Sequence, residues 1–262
     1  MHLILTGATG LVGSGVLDAM IKMKDVTKIS VISRRPVPMA EDAKDPKINV
    51  IIHKDFEKYD ADLLSQLKGA SGCVWALGIS QTKVGKEEYV KITKDYALAA
   101  AKAFQSLPGD DASNKDEPFR FVYVSGAGST LKPGLFTSLF ARVKGETELS
   151  LSEMRAANPL FGATSVRPAF IDYHAHAAIK PYIPAQGAMM DTLASVLGPA
   201  IRVGYKSMWS PTAQLGQFLT EMAMGRFDDR LQGEGVERLG EFAILENSAF
   251  RRLAGLDNNG RV

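Results

Sequence analysis

The sequence has a single cysteine, little net charge and few histidines. With Cys73 alone, no disulfide can form within the 262-residue chain, and a zinc site built from several cysteines is excluded. The formal net charge is +2, and no dense run of lysine and arginine indicates a nucleic-acid partner. Only four histidines are present, and we expect no metal site.

The chain also lacks a long apolar run. A membrane-spanning helix needs about 20 uninterrupted apolar residues. The longest candidate, residues 188–203, contains Asp191 and Arg202. The first residues run directly into a predicted strand, without the basic and apolar leader of a secretory signal. We therefore expect no membrane span and a cytoplasmic location.

Strand and helix patterns alternate over the first two-thirds of the chain. Helical patterns cover 86–106 and 135–156, and residues 108–118 are typical of a solvated surface loop. The predicted strands, several of them Val/Ile runs typical of strands buried on both faces, are 3–6, 28–33, 49–53, 72–77, 119–125 and 162–167. Right-handed crossovers would arrange them in the order 3-2-1-4-5-6. The pattern thus predicts an α/β fold with a doubly wound, Rossmann-like parallel sheet.

The pattern becomes irregular in the last third, which contains several prolines. It predicts a helix over 212–224, a short strand over 242–246 and a final helix ending at Leu253. We interpret residues 1–168 as a dinucleotide-binding core. Residues 169–262 are then a small C-terminal substrate-binding lid region, integrated in the same domain.

A glycine-rich loop directly follows the first strand and precedes an amphipathic helix. It reads Gly-Ala-Thr-Gly-Leu-Val-Gly, in which Gly7 permits a tight turn and Gly10 lets the backbone approach a pyrophosphate. Gly13 allows the helix to pack closely on the strand. The N–H groups and the dipole of the helix N-terminus favour phosphate. The loop predicts a dinucleotide site that also includes Thr9, Leu11 and Val12.

The end of the second strand indicates which dinucleotide is bound. NAD-specific proteins place a carboxylate there for the ribose 2′-hydroxyl, but this chain reads Ser33-Arg34-Arg35, and the next carboxylate after this strand is Glu41. Guanidinium groups bind phosphate oxygens in a forked geometry, so we predict NADP(H). By position, Asp55 and Phe56 would flank the adenine, and the backbone at Ala76, Leu77 and Gly78 would approach the ribose.

Several motifs together resemble the atypical short-chain dehydrogenase/reductases, and most of all the branch that contains the Tat-interacting tumour-suppressor protein. The resemblance covers about residues 1–225. Its motifs are the glycine loop at 7–13, Ala76-Leu77-Gly78, Lys94-Asp95-Tyr96, Val122-Tyr123-Val124-Ser125, Lys144-Gly145-Glu146 and Arg167-Pro168-Ala169. It implies that Arg167, Pro168, Ala169 and Phe170 line the nicotinamide of the cofactor.

The family usually reduces carbonyls with a Tyr-x-x-x-Lys pair and an upstream serine. By the resemblance, Lys144 matches the lysine and Ser125 the serine, but Phe140 stands where the tyrosine is expected. None of the seven tyrosines has a lysine four residues later. A phenyl ring cannot donate a proton, so the usual acid is absent.

Three replacements for this acid stay open. Tyr173, His174 or His176 could supply the proton, since histidine titrates near neutral pH. Ser125, or Ser129 in the following loop, could polarise a carbonyl by hydrogen bonding. An activated acceptor such as an iminium or a polarised enone could also need little proton assistance.

The sequence therefore predicts an NADP(H)-dependent oxidoreductase acting on a small, fairly apolar carbonyl, enone or imine. Two alternatives stay open: a non-catalytic NADP-binding regulator or interaction protein, and a non-redox isomerase or cyclase. The expected partner is a small-molecule substrate. A homodimer stays open as well, because the helix over 135–156 often forms the dimer interface in related enzymes.

Overall fold

The structure is a computed structural model that describes residues 1–105, 107, 117–184 and 204–257. Most of the loop predicted at 108–118, and the apolar run at 188–203, lie outside the described residues. None of the described helices is both long enough and apolar enough to cross a bilayer.

The strands predicted in the first two-thirds of the chain are all present, with ends that differ by one or two residues. The strands are β1 (His2–Thr6), β2 (Lys28–Ser33), β3 (Ile48–Ile52), β4 (Ala70–Trp75), β5 (Phe119–Val124), β6 (Phe161–Arg167), β7 (Phe170–Asp172), β8 (Trp209–Pro211), β9 (Val236–Leu239) and β10 (Phe242–Glu246). The helices are α1 (Leu11–Lys22), α2 (Pro38–Ala43), α3 (Ala61–Leu67), α4 (Lys86–Val90), α5 (Tyr96–Phe104), α6 (Leu139–Ala157), α7 (Thr212–Ala223) and α8 (Asn247–Leu253).

Eight strands form one sheet in the order β3-β2-β1-β4-β5-β6-β10-β9. The predicted order 3-2-1-4-5-6 is confirmed, and so is the doubly wound α/β fold class. The sheet continues beyond this prediction, because β10 pairs in parallel with β6 and β9 pairs antiparallel with β10. The last third of the chain thus supplies two strands of the main sheet. β7 and β8 form a separate parallel pair.

Helices cover both faces of the sheet. On one face, α1, α7 and α8 bury side chains such as Leu17, Phe218 and Phe250. On the other face, Phe104 of α5 and Leu151 of α6 pack against the sheet. Both faces being buried explains why the central strands read as continuous apolar runs.

Glycines fix the position of α1 against α7. A Cβ atom on Gly216 would lie 2.2 Å from the carbonyl oxygen of Gly15, and one on Gly15 would lie 2.9 Å from that of Thr212. The two helix backbones therefore touch, which only glycine allows at these positions. This contact fixes α1, and with it the glycine-rich loop at its N-terminus.

Two predicted helices differ in detail. The helix predicted at 86–106 is interrupted by a π-helical turn, Lys91–Asp95, between α4 and α5. The helix predicted from residue 135 begins at Leu139, because the Ser138 hydroxyl caps it by accepting the Ala141 N–H at 3.2 Å. Residues 135 and 136 precede it and are almost fully exposed.

Candidate cofactor and active site

The turn between β1 and α1 is built by glycine. Gly7 has φ +72°, and a Cβ atom there would lie 2.3 Å from the carbonyl oxygen of Ala76. A Cβ on Gly13 would lie 2.0 Å from the carbonyl oxygen of Gly7. Gly13 therefore lets the first turn of α1 approach the backbone directly after β1. Gly10 donates its N–H to the Gly7 carbonyl at 2.8 Å.

The N-terminus of α1 suits an anionic ligand. Gly10 is its N-cap, no side chain caps the helix, and its first turn contains no acidic residue. The first-turn N–H groups of a helix lack partners within the helix. Apart from its chain neighbours, the one atom of the described residues within 4 Å of a Cβ built on Gly10 would be the Gly7 oxygen, at 3.2 Å. The backbone at Gly10 is therefore accessible to a phosphate group, as a dinucleotide requires.

A cavity of about 390 Å³ lies beside this turn. Its lining brings together residues at or just after the carboxyl ends of four strands, β1 to β4, and none of the described lining residues is acidic. The lining residues are Gly7, Thr9, Ile32, Ser33, Arg34, Arg35, Phe56 and Leu77. Seven of these eight were predicted from the sequence as cofactor-binding residues; Ile32 was not.

Both arginines of this cavity are exposed, and one of them is held by a side-chain hydrogen bond. The Arg35 guanidinium donates to the Thr9 hydroxyl at 3.3 Å. Ser33 donates its hydroxyl to the Arg35 carbonyl at 2.7 Å and accepts the Arg35 N–H at 3.3 Å. Since this donor is used within the turn, Ser33 shapes the site mainly through the backbone. Arg34 supplies a second exposed cation.

Phe56 forms a buried wall of the cavity. Its ring packs edge-on against Trp75 at 6.1 Å and stacks with Tyr96 at 5.8 Å, measured between ring centroids. Asp55 is exposed, and its carboxylate accepts the Glu57 N–H at 3.1 Å. Asp55 does not line the cavity, so its contact with adenine stays a prediction.

The loop after β4 closes another side of the site. Leu77 lines the cavity and donates its N–H to the Thr6 hydroxyl at 3.3 Å. The Ala76 carbonyl oxygen is the atom that leaves no room for a Cβ on Gly7. Gly78 has open space around its Cα atom, with nothing within 4 Å of a Cβ built there. A ligand could therefore approach the backbone at Gly78.

Lys144 lies on α6 at the carboxyl end of β5. Its Nζ atom donates to the Val124 carbonyl at 2.9 Å. The same atom lies 5.0 Å from the centre of the Tyr123 ring and 6.0 Å from that of Phe140. Burial lowers the pKa of Lys144 to about 8, and the negative charge of Glu148 partly opposes this effect.

Ser125 and Phe140 lie around the same strand end. The Phe140 ring packs on Gly126, where a Cβ atom would lie 2.8 Å from the ring Cζ. The hydroxyls of Ser125 and Ser129 are 3.1 Å apart, and Ser129 donates to the Gly126 carbonyl at 2.8 Å. Ser125 is thus the donor to Ser129. Ser125, Phe140 and Lys144 are therefore grouped at one edge of the sheet.

The side chain of Arg167 points to carboxylates within the protein. Its Nε and Nη2 atoms donate to Glu148 at 3.0 and 2.5 Å, and its Nη1 donates to Glu246 at 2.7 Å. Glu148 is fully buried and also accepts the Ser165 hydroxyl. This network was not predicted from the sequence, in which Glu148 is marked only by its position one helical turn after Lys144. A nicotinamide contact of Arg167 stays a prediction.

The backbone after β6 is anchored on both sides. The Pro168 carbonyl accepts the Ala127 N–H at 2.9 Å. The Ala169 N–H donates to the Ser210 hydroxyl at 3.0 Å. Phe170 begins β7, which pairs with β8. These contacts hold the segment expected to line the nicotinamide beside the loop that follows Ser125.

The histidines after β7 have different surroundings. His176 is buried, with Nε2 3.0 Å from Asp18 and Nδ1 3.0 Å from Thr212, and so links this segment to α1 and α7. His174 has Nδ1 2.9 Å from the Asp172 carboxylate and stacks with Tyr173 at 4.8 Å. The catalytic roles of Tyr173 and His174 stay predictions. Among the described residues, no three His, Cys, Asp or Glu side chains are grouped to hold a metal.

Two fungal relatives are similar over most of their own length. Botcinic acid biosynthesis cluster B protein 16 of Botryotinia fuckeliana (strain B05.10) is 46% identical over 160 residues, which are 61% of this chain and 99% of the relative. Leucinostatins biosynthesis cluster protein T of Purpureocillium lilacinum is 34% identical over 241 residues, 86% of this chain and 85% of the relative. No family model matches the chain.

Proteins with lower sequence identity are also similar to this chain, one in sequence and one in fold. Protein HTATIP2 of Rattus norvegicus is 24% identical over 151 residues, 58% of this chain and 56% of the relative. The ligand-free aldohexose dehydrogenase of Thermoplasma acidophilum superimposes with a TM-score of 0.62 at 12% identity, over 100% of this chain and 96% of that one. The chain belongs to the family of the two fungal biosynthesis cluster proteins, and its Rossmann fold and motifs resemble those of the atypical short-chain dehydrogenase/reductases.

Proposed function

We propose that this protein is an NADP(H)-dependent reductase of a small, fairly apolar carbonyl, enone or imine. The observation that carries the proposal is the cavity beside the β1–α1 turn. It combines a glycine backbone without room for a Cβ at Gly7, an uncapped helix N-terminus and the exposed cations Arg34 and Arg35. This combination suits an adenine dinucleotide with a 2′-phosphate.

Each part of the cofactor has a proposed set of ligands. The pyrophosphate would lie on the backbone of residues 9–13, and the 2′-phosphate beside Ser33, Arg34 and Arg35. Phe56, Ala76, Leu77 and Gly78 would face the adenosine, with Asp55 nearby. The backbone from Arg167 to Phe170, together with Lys144, would face the nicotinamide end.

The chemistry at the nicotinamide end depends on three side chains. The bound cofactor would supply the hydride. Lys144 donates to the Val124 carbonyl, which uses one of the three donors of an ammonium group, and the others can hold the nicotinamide ribose. Ser125 would turn its hydroxyl from Ser129 to the substrate oxygen and polarise it.

Proton delivery must differ from the family pattern, because Phe140 has no ionisable group. We propose Tyr173 and His174 as the candidate donors. The Asp172 carboxylate, 2.9 Å from His174 Nδ1, favours the tautomer or the cation that carries a proton on that atom. A substrate that binds as an iminium ion would not need such a donor, since this cation accepts hydride and becomes a neutral amine without a further proton.

The relatives support a biosynthetic context. Two of them are named after biosynthesis clusters, for botcinic acid and for the leucinostatins. We propose that this chain likewise acts on a small-molecule intermediate, in the cytoplasm, and that α6 forms a homodimer interface. We also propose that residues 169–262 form the lid region that binds the substrate.

The test combines binding and turnover. Calorimetry should show saturable NADPH binding that is tighter than NADH binding. A panel of carbonyls, enones and imines should include an acceptor that consumes NADPH, and Lys144→Met should abolish this turnover. NADPH binding without turnover on any acceptor would favour the second candidate, a non-catalytic NADP-binding regulator. The observation that supports this candidate is Phe140, which cannot act as the catalytic acid.

A further inference from the structure

The ammonium group of Lys144 lies near two aromatic rings. The centres of the Tyr123 and Phe140 rings are 5.0 and 6.0 Å from the Nζ atom. A cation within about 6 Å of a ring centre is attracted to the face of that ring. Lys144 therefore has favourable aromatic contacts in a place where burial disfavours its charge.

Tyr123 is itself anchored by the π-helical turn. Its side chain is buried, and its hydroxyl donates to the carbonyl of Thr93 at 3.3 Å. Burial raises the pKa of Tyr123, so this hydroxyl keeps its proton and acts as a donor. Thr93 belongs to the turn Lys91–Asp95, and such turns are frequent at functional sites. The contact fixes the Tyr123 ring against the helix.

Phe140 is also held on two sides. Its backbone N–H donates to the Gln81 side-chain oxygen at 2.8 Å, and its ring packs on Gly126. Phe140 lies one helical turn before Lys144, so both side chains share one face of α6. The phenyl ring that cannot act as an acid is therefore well placed to contact the ammonium group.

We propose that Tyr123 and Phe140 form an aromatic clamp that positions the Lys144 ammonium toward the nicotinamide ribose, with the π-helical turn as its anchor. This inference rests on the proposed function, because it specifies how the cofactor-binding lysine is held. Tyr123 is a positioning residue in it and needs no contact with the substrate. Position 140 has a role in it that does not require a hydroxyl group.

The charged groups on the surrounding elements are mostly paired. Glu148 on α6, which raises the pKa of Lys144, is bound by Arg167. Lys94 of the π-helical turn pairs with Glu146 at 3.1 Å. The variants at the aromatic rings leave these ion pairs in place. A change in the Lys144 pKa can therefore be attributed to the rings.

The clamp can be tested in the full-length protein with three variants, Tyr123→Leu, Tyr123→Phe and Phe140→Leu. The Lys144 pKa is measured from the pH dependence of its Cε carbon-13 shift, assigned with Lys144→Met. NADPH affinity is measured by calorimetry. Tyr59→Phe is the matched control, because Tyr59 is a half-buried tyrosine in the loop before α3.

We expect each leucine variant to lower the Lys144 pKa by about half to one pH unit and to weaken NADPH binding about three- to tenfold. Tyr123→Phe keeps the ring and should change both quantities less. The control should match the parent protein. Phe140 is only partly buried, so Phe140→Leu carries the test if Tyr123→Leu does not fold.

An unchanged Lys144 pKa in the folded leucine variants would overturn the clamp, even if NADPH affinity falls, because a purely structural defect would not move this pKa selectively. A parent protein that binds no NADPH would refute the proposed function instead. The carbon-13 titration would then still decide whether the rings act on Lys144.

Discussion

The arginines after β2 should decide between NADPH and NADH. We consider Arg34→Gln and Arg35→Gln, which remove the cation but keep a polar side chain. Both residues are exposed, and the one side-chain contact at stake is the 3.3 Å hydrogen bond from Arg35 to Thr9. The free energy of unfolding should therefore change by no more than about 0.5 kcal/mol. An effect on cofactor binding can then be separated from a folding defect.

The magnitude follows from the exposure of the site. A hydrogen bond to a charged partner contributes about 1.5–3 kcal/mol, and solvent places these two near the lower end. Since about 1.4 kcal/mol is a factor of ten, each variant should weaken NADPH binding about tenfold, and the double variant by up to about 100-fold. NADH affinity should stay within about twofold, because its ribose carries a hydroxyl group instead of the phosphate.

Calorimetry with both reduced cofactors, at one fixed ionic strength, measures this selectivity directly. Salt must be held constant because it screens exposed charges. Lys54→Gln is the matched control, since Lys54 is exposed after β3 and does not line the cavity. Equal loss of NADPH and NADH affinity, or no loss of either, would refute the assignment of the 2′-phosphate to Arg34 and Arg35.

Three further predictions concern the loop and the active site. Gly13→Ala should abolish NADPH binding and lower the free energy of unfolding by about 3 kcal/mol in a denaturation titration, because its Cβ would lie 2.0 Å from the Gly7 backbone oxygen. Gly85→Ala, at an exposed position with nothing within 4 Å of the added Cβ, should leave both quantities unchanged. The ammonium form of Lys144, with a pKa of about 8, predominates below that pH. NADPH affinity should therefore fall as pH rises from about 7 to 9 and be flat in Lys144→Met; a flat profile in the parent protein would contradict the proposed ribose contact. Phe140→Tyr should raise carbonyl reduction by about 100-fold or more in steady-state assays, and a folded but inert variant would show that position 140 lies outside the catalytic centre.

Local features of the sequence predicted much of the cofactor site. The glycine-rich turn and the strand before it lie within a dozen residues, and their geometry follows from φ preferences and backbone contacts. Seven of the eight residues that line the cavity were predicted, two from the glycine-rich loop and five from their positions at the ends of strands. This worked because parallel strands with buried faces bring their carboxyl ends to one edge of the sheet.

Contacts between residues far apart in the chain could not be predicted from the sequence. The side chain of Arg167 is bound by Glu148 and by Glu246, which is 79 residues away in the chain. His176 contacts Asp18 across 158 residues. Nothing in the local pattern around these side chains specifies their partners. Their roles in the structure therefore became visible only when the packing of the helices and strands was known.

By itself, the sequence determined the fold class, the order of the first six strands and the location of the dinucleotide loop, because these depend on hydrophobic periodicity and on local glycine geometry. Only the tertiary structure decided that β10 and β9 extend the main sheet, that a π-helical turn anchors Tyr123, and that the Lys144 ammonium lies near the Tyr123 and Phe140 rings. The physical reason is that each of these features depends on contacts between different elements, such as those of Tyr123 on β5 with the π-helical turn and with Lys144 on α6, which form only when complete elements pack in three dimensions.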